Sequence, residues 1–265
     1  MGERAVSDAG REVISVRHLW VAYREHVVLE DVNLSVKELD FIGIVGPNGG
    51  GKTTLLKALL GLVSPARGEV RIMGKRAEEA RRHVGYVPQL TEFDRDFPIS
   101  VWDAARMGRL ASRGLLQRYT DEDDQAVEGA LEKVDMLDQW DRPFGDLSGG
   151  QRQRVYVARA LATDPSILLL DEPLASVDRR VSSDIYALLE RLNHSVTILM
   201  VSHDVGAISS HVKSVGCLNR RLFYHGDETL SPEMVELAYQ CPVDLIAHGV
   251  PHRVFADHGD RGGET

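Results

Sequence analysis

The sequence has only two cysteines, Cys217 and Cys241, in 265 residues. That excludes a disulfide framework and a four-thiolate zinc site, and it suits a reducing compartment. No apolar run comes near the roughly 18–20 residues that a membrane-spanning helix needs. Runs such as Ile167–Leu170 and Thr197–Val201 are strand-sized. A secretory leader is not expected, because Met1–Arg11 is polar. Basic side chains are not in excess: 31 Lys and Arg stand against 40 Asp and Glu, a formal net charge of −9. That balance argues against non-specific nucleic-acid binding. Internal repeats and low-complexity tracts are also missing. Any membrane role must therefore come through a partner. What is present is an ordinary globular mix, 43% apolar and 27% charged, in a chain long enough for a buried core.

Hydrophobic periodicity divides the chain. Ile14–Val16 reads as a strand, and Val32, Leu34 and Val36 alternate with polar residues as a half-buried strand does. Phe41–Val45 is a continuous apolar run, expected of a strand buried on both faces. A Gly-rich turn and a helix over Lys52–Leu62 follow, then strands at Glu69–Met73 and Val84–Val87. From Gln89 to Ala162 the pattern turns helical. Ser100-x-x-Asp103 and Thr120-x-x-Asp123 resemble capping boxes, and Ser148-x-x-Gln151 is a full match. Asp121–Asp124 places negative charge at a helix N-terminus. Strands return at Ile167–Leu170, Val196–Val201 and Ser214–Leu218, around a helix over Arg179–Leu192. Strands alternating with helices imply an α/β parallel sheet, with the helical middle inserted into it. After Gly226 a short helix is expected at Ser231-Pro232, then a frayed end.

Gly46-Pro47-Asn48-Gly49-Gly50-Gly51-Lys52-Thr53 matches the P-loop pattern, between a buried strand and a helix. Background frequencies give such a match by chance in roughly one of 100 chains of this length. Glycines let successive backbone N–H groups converge on phosphate oxygens, and the helix start adds positive potential. Lys52 is expected to reach the β- and γ-phosphates and the Thr53 hydroxyl to ligate Mg²⁺. The strand Ile167–Leu170 ends in Asp171-Glu172, the Walker B arrangement. Alone, such a pair is as easily a solvated strand end. Beside a P-loop, Asp171 is expected to hold Mg²⁺ through water, with Glu172 polarising the attacking water.

Leu147-Ser148-Gly149-Gly150-Gln151-Arg-Gln-Arg154 resembles the signature sequence of ABC-type ATPases. The other family motifs stand in the family's order: Tyr23 for the adenine-stacking A-loop, the P-loop through Thr54, and Gln89 for the Q-loop. The signature is followed by the Asp171-Glu172 pair, Ser176-Val-Asp178 as the D-loop, and His203 as the switch histidine. The resemblance covers residues 12–226. It implies a RecA-like P-loop core with an antiparallel β subdomain and a helical subdomain inserted at about 90–162, and residues 227–265 as a tail. It also implies an ATPase, using ATP and Mg²⁺, whose subunits pair head-to-tail. Each signature (Ser148, Gly149, Gly150, Gln151) and Asp178 would then close on nucleotide held by the other subunit. Gln89 would sense Mg²⁺ or the water, and His203 would bond the γ-phosphate.

The resemblance extends to the zinc/manganese branch of metal-ion importers, through the loop Gly46–Lys52, Glu92–Pro98 with Met107-Gly-Arg109, and Cys217–Arg221 with His225-Gly226. It implies membrane-embedded permease subunits, docked on the helical face including Phe97–Met107. An extracytoplasmic metal-binding receptor, attachment to the cytoplasmic face of the cell membrane and no nucleic-acid partner also follow. An iron-chelate or vitamin importer stays open, because this subunit touches no cargo. A soluble ABC ATPase of repair or translation fits less well, since those join two ATPase domains or carry long coiled coils. In the tail, His248, His252 and His258 suggest a metal site, but Gly249 and Pro251 break the helical spacing, which favours a docking or surface tail.

Overall fold

Alternating burial along the strands decides how the layers stack. The computed structural model describes residues 10–89, 97–112, 117–175, 179–208 and 210–224. Its first elements are β1 (Glu12–Tyr23), β2 (His26–Lys37), β3 (Phe41–Val45), α1 (Lys52–Leu59), β4 (Arg67–Ile72) and β5 (Lys75–Arg76). Then come α2 (Ala77–Ala80), β6 (Val84–Val87), α3 (Val101–Arg106), α4 (Asp121–Lys133), α5 (Gly149–Leu161) and β7 (Ile167–Asp171). The last are α6 (Arg179–Asn193), β8 (Thr197–Ser202), α7 (Val205–Ile208), β9 (Ser214–Asn219) and β10 (Arg221–Tyr224). Expectations that fall on Glu92, Ser176–Asp178, Ser231-Pro232 and the three tail histidines lie outside the described residues.

Two sheets form. One is antiparallel, in the order β2-β1-β4-β5. The other runs β10-β9-β3-β8-β7-β6, parallel from β9 to β6 with β10 antiparallel at its edge. In β7, Leu168 and Leu170 face α5 and α6, packing with Val155, Ala158, Ile185 and Leu189. Ile167 and Leu169 face the other way, onto Leu55 and Leu59 of α1 and, in the same cluster, Val16 and Leu34 of the antiparallel sheet. The four apolar side chains of β7 are fully buried, each contributing about 1.5–3 kcal/mol relative to exposure. A strand buried on both faces carries no polar alternation, hence its uninterrupted apolar run. Asp171, two residues after Leu169, follows the same period onto the α1 side.

The structure also departs from the sequence expectations. β1 is far longer than Ile14–Val16, because register shifts carry pairing past His18, whose φ of 47° marks the irregularity. α1 stops at Leu59 instead of Leu62, and Gly61 leaves at φ 63°. β10 has no expected counterpart.

Between β6 and β7 the helices α3, α4 and α5 pack on Val101, Val127, Leu131 and Phe144. Asp123 in the first turn of α4 is fully buried. It accepts the Thr120 N–H at 2.9 Å and pairs with Arg109 Nε at 2.8 Å. Arg109 also donates to the Ala162 carbonyl at 2.9 Å, which ties this turn to the end of α5. Losing one partner strands a buried charge. Asp123→Ala should therefore lower unfolding stability by about 3–5 kcal/mol, read as an earlier urea midpoint; an unchanged midpoint would contradict the role given to this pair.

Candidate active site

β3 delivers the chain into the loop 46–51 beneath β9. A Cβ on Gly46 would stand 2.0 Å from the Leu218 carbonyl oxygen, so no side chain fits. Gly51, the N-cap of α1, has φ 100°, a conformation open essentially to glycine. The turn between β9 and β10 braces this loop: Arg220 N–H donates to the Gly50 carbonyl at 3.0 Å, while its own carbonyl accepts from Glu30 N–H at 2.9 Å. Sequence reasoning noted Cys217–Arg221 only as a family cue. The place of Arg220 just beyond the strand expected at Ser214–Leu218 was the available signal.

Lys52 opens α1 and is 6% exposed. Its Nζ donates to the carbonyls of Gly46 at 2.9 Å and Pro47 at 3.1 Å, and lies 3.3 Å from Glu172 Oε1. Next to it, Thr53 Oγ1 donates to Asp171 Oδ1 at 3.2 Å. Asp171 is 1% exposed. Burial raises its carboxyl above the usual range, against the hydrogen bonds from Thr53 and Tyr86 and the charge of Lys52. The Tyr86 hydroxyl donates to Asp171 Oδ2 at 3.2 Å. Burial first, and the carboxylate second, push the Tyr86 pKa upward, so the phenol stays protonated and can donate.

Glu172 turns away from β7 at φ 46°, a left-handed conformation that costs energy in any residue with a side chain. Its N–H donates to the Val201 carbonyl at 3.0 Å, which pins the turn to β8. Its carboxylate gathers groups from three other parts of the sheet edge. Gln89 Nε2 donates to Oε2 at 3.3 Å, His203 Nδ1 lies 3.0 Å from the same oxygen, and Lys52 stands at Oε1.

Lys52, Thr53, Gln89, Asp171, Glu172 and His203 are thus joined in one contact network, to which sequence reasoning had not assigned Tyr86. Tyr23, at the end of β1 and 45% exposed, makes none of these contacts. Ser148 stands exposed as the N-cap of α5. Its Oγ accepts from Gln151 N–H at 3.3 Å, and Gln151 Oε1 accepts from Ser148 N–H at 3.0 Å. Among the described residues no hydrogen bond or ion pair joins residues 148–151 to residues 46–54. Asp178 lies outside the described residues.

Residues 29–175 match the family model of the ABC transporter. The chain belongs to the ABC transporter family. Among its relatives, the manganese transport system ATP-binding protein of Listeria innocua is 38% identical, over 88% of this chain and 99% of that protein. The zinc transport system ATP-binding protein of Treponema pallidum is 39% identical, over 85% and 86%. An ABC transporter solved in an inward-facing conformation superposes with a TM-score of 0.80 at 26% identity, covering 92% of this chain and 97% of that one. This ABC ATPase binds and hydrolyses ATP as part of a transporter complex with permease subunits. No helix among its described residues is long and apolar enough to cross a membrane.

The donor set suits a small hard cation. The Thr53 hydroxyl and the buried Asp171 carboxylate, 3.2 Å apart, are oxygen donors of the kind Mg²⁺ takes, the carboxylate through a water of the ion's shell. Because the Gly46 position abuts backbone and not a yielding side chain, Gly46→Ala must displace the loop. It should cost about 1–3 kcal/mol of stability and weaken ATP binding at least about tenfold by misaligning the loop N–H donors; labelled-ATP titration beside thermal unfolding checks both.

Proposed function

We propose that this chain is the ATP-hydrolysing subunit of an importer for a divalent metal ion, manganese or zinc, bound to the cytoplasmic face of the membrane through its permease. The observation that carries the chemistry is the convergence of Lys52, Gln89 and His203 on one carboxylate, that of the half-buried Glu172. The manganese and zinc relatives support the cargo. Phe97, Met107 and Leu110, all exposed apolar side chains of the helical segment, support a docking face for the permease. An extracytoplasmic receptor would deliver the ion to that permease.

ATP would lie along the loop 46–51, its adenine on Tyr23 and its phosphates on the loop N–H groups and Lys52. Thr53 and Asp171 would hold Mg²⁺, which neutralises charge developing on the phosphate oxygens. Lys52 now neutralises Glu172. Phosphate oxygens compete for that ammonium, and once Lys52 turns to them, the Glu172 carboxylate can accept a proton from water. Gln89 and His203, already held on Oε2, stand ready to orient that water and the γ-phosphate. Leaving-group departure needs no covalent intermediate, so positioning and charge carry the rate. The N-terminus of α5, with Ser148, Gly149, Gly150 and Gln151, offers backbone N–H groups to an anion. Its separation from residues 46–54 supports a head-to-tail dimer in which it serves the partner's nucleotide, with Asp178 at the same seam.

Two tests follow. Glu172→Gln should keep ATP binding, cut turnover at least about 100-fold and trap a nucleotide-bound dimer on size exclusion; cells carrying it should lose uptake of labelled manganese or zinc. ATPase near wild type would overturn the assignment of Glu172. Lys52→Ala should weaken ATP binding to the monomer, whereas Ser148→Arg should leave it intact and abolish dimerisation in the Glu172→Gln background. Equal loss of monomer affinity in both would contradict the trans arrangement.

A further inference from the structure

Tyr86 lies on β6, directly beside β7, with Tyr86 in register with Leu169. It packs with Val84 toward the face that Ile167 and Leu169 also line. The alternation of β7 carries the Asp171 carboxylate onto this face. Tyr86 is therefore the strand neighbour whose polar tip can reach that carboxylate, and its hydroxyl does so at 3.2 Å. The two oxygens of Asp171 are divided: Oδ2 receives Tyr86, and Oδ1 receives Thr53. A buried carboxylate with one oxygen anchored cannot rotate freely about its Cβ–Cγ bond without losing that hydrogen bond. The same strand end carries Gln89, three residues on, to Glu172. One segment thus addresses both acidic side chains.

We infer that Tyr86 is a positioning residue for the ABC ATPase reaction: its phenol fixes Asp171 Oδ2 and so presents Oδ1, beside Thr53, to the cation that accompanies ATP. The inference rests on the reading of Asp171 as a Mg²⁺ holder. Partners that orient a metal-binding carboxylate commonly change metal affinity about 10–100-fold when removed. Tyr86→Phe deletes the hydroxyl and keeps the ring among its neighbours, so the fold should stand. Tyr86→His offers a second variant able to donate from a ring N–H.

The test is calorimetric titration of the full chain with a non-hydrolysable ATP analogue, once in Mg²⁺ and once in EDTA. The ratio of the two affinities measures what the metal contributes. In Tyr86→Phe the EDTA affinity should match wild type and the melting temperature fall only modestly, since Asp171 keeps its bond from Thr53, while the ratio falls about tenfold and the Mg²⁺ concentration for half-maximal ATPase rises. Asp171→Asn should collapse the ratio outright. An unchanged ratio in Tyr86→Phe with a collapsed one in Asp171→Asn would overturn the inference and leave the role of Asp171 standing. An unchanged ratio in Asp171→Asn would overturn both. Equal losses in Mg²⁺ and EDTA would mark Tyr86 as merely structural and also overturn it. Partial recovery of the ratio in Tyr86→His would support the hydrogen bond as the cause.

Discussion

Lys52, Asp171 and Glu172 meet where almost no water reaches, at 6%, 1% and 9% exposure, two negative charges to one positive. Such a cluster persists only if each charge is paired or hydrogen-bonded, because stranding one costs about 3–5 kcal/mol. The sheet order supplies the partners. With β3, β8, β7 and β6 side by side, their carboxyl ends line up Lys52 after β3, His203 after β8, the acidic pair at the end of β7 and Gln89 after β6. This is the edge where open parallel sheets place their ligands. The strand order and the charge balance of the site are therefore one constraint seen at two scales.

The helical segment is joined to this edge through β6. α5 is capped by the exposed Ser148 and ends against β6, which carries Tyr86 and leads into Gln89. The contact is close: a Cβ on Gly85 would stand 2.9 Å from the Ala160 carbonyl oxygen and 3.0 Å from the Pro165 ring. Arg109, bound to Asp123 and to the Ala162 carbonyl, holds α4 to the same end of α5. Densely packed contacts of this kind transmit displacement with little slack. The C-terminal end of α5 is thereby packed directly on the strand that leads to the side chains touching Asp171 and Glu172.

Most of this was legible because the informative residues are local in sequence. A buried strand, a glycine-rich loop and Lys52-Thr53 form one stretch, and an apolar run ending in Asp171-Glu172 forms another. The alternation of strands and helices carried the sheet. What stayed hidden depends on register and on loops returning from far away. Tyr86 reads as another apolar residue of Val84–Val87 until β6 and β7 are aligned and its hydroxyl meets Asp171. The hold of Arg220 on Gly50 spans most of the chain and passes through backbone atoms, which leave no trace in residue type. Arg109 counted as a family cue; its ion pair with the buried Asp123 gives a physical reason for a guanidinium there. β1 was underestimated because its register shifts interrupt the alternation that identifies a strand.

The strained turn at Glu172 completes the argument. A left-handed φ at a residue with a side chain is retained where the surroundings over-determine it. Here the Val201 carbonyl fixes the backbone while Lys52, Gln89 and His203 fix the carboxylate. On the proposed mechanism the same contacts hold the base neutralised until nucleotide arrives. Lys52 cannot serve Glu172 and the phosphates fully at once, so phosphate binding and release of the base draw on one ammonium group. Binding and catalytic competence are linked by that competition, without any large movement of the sheet.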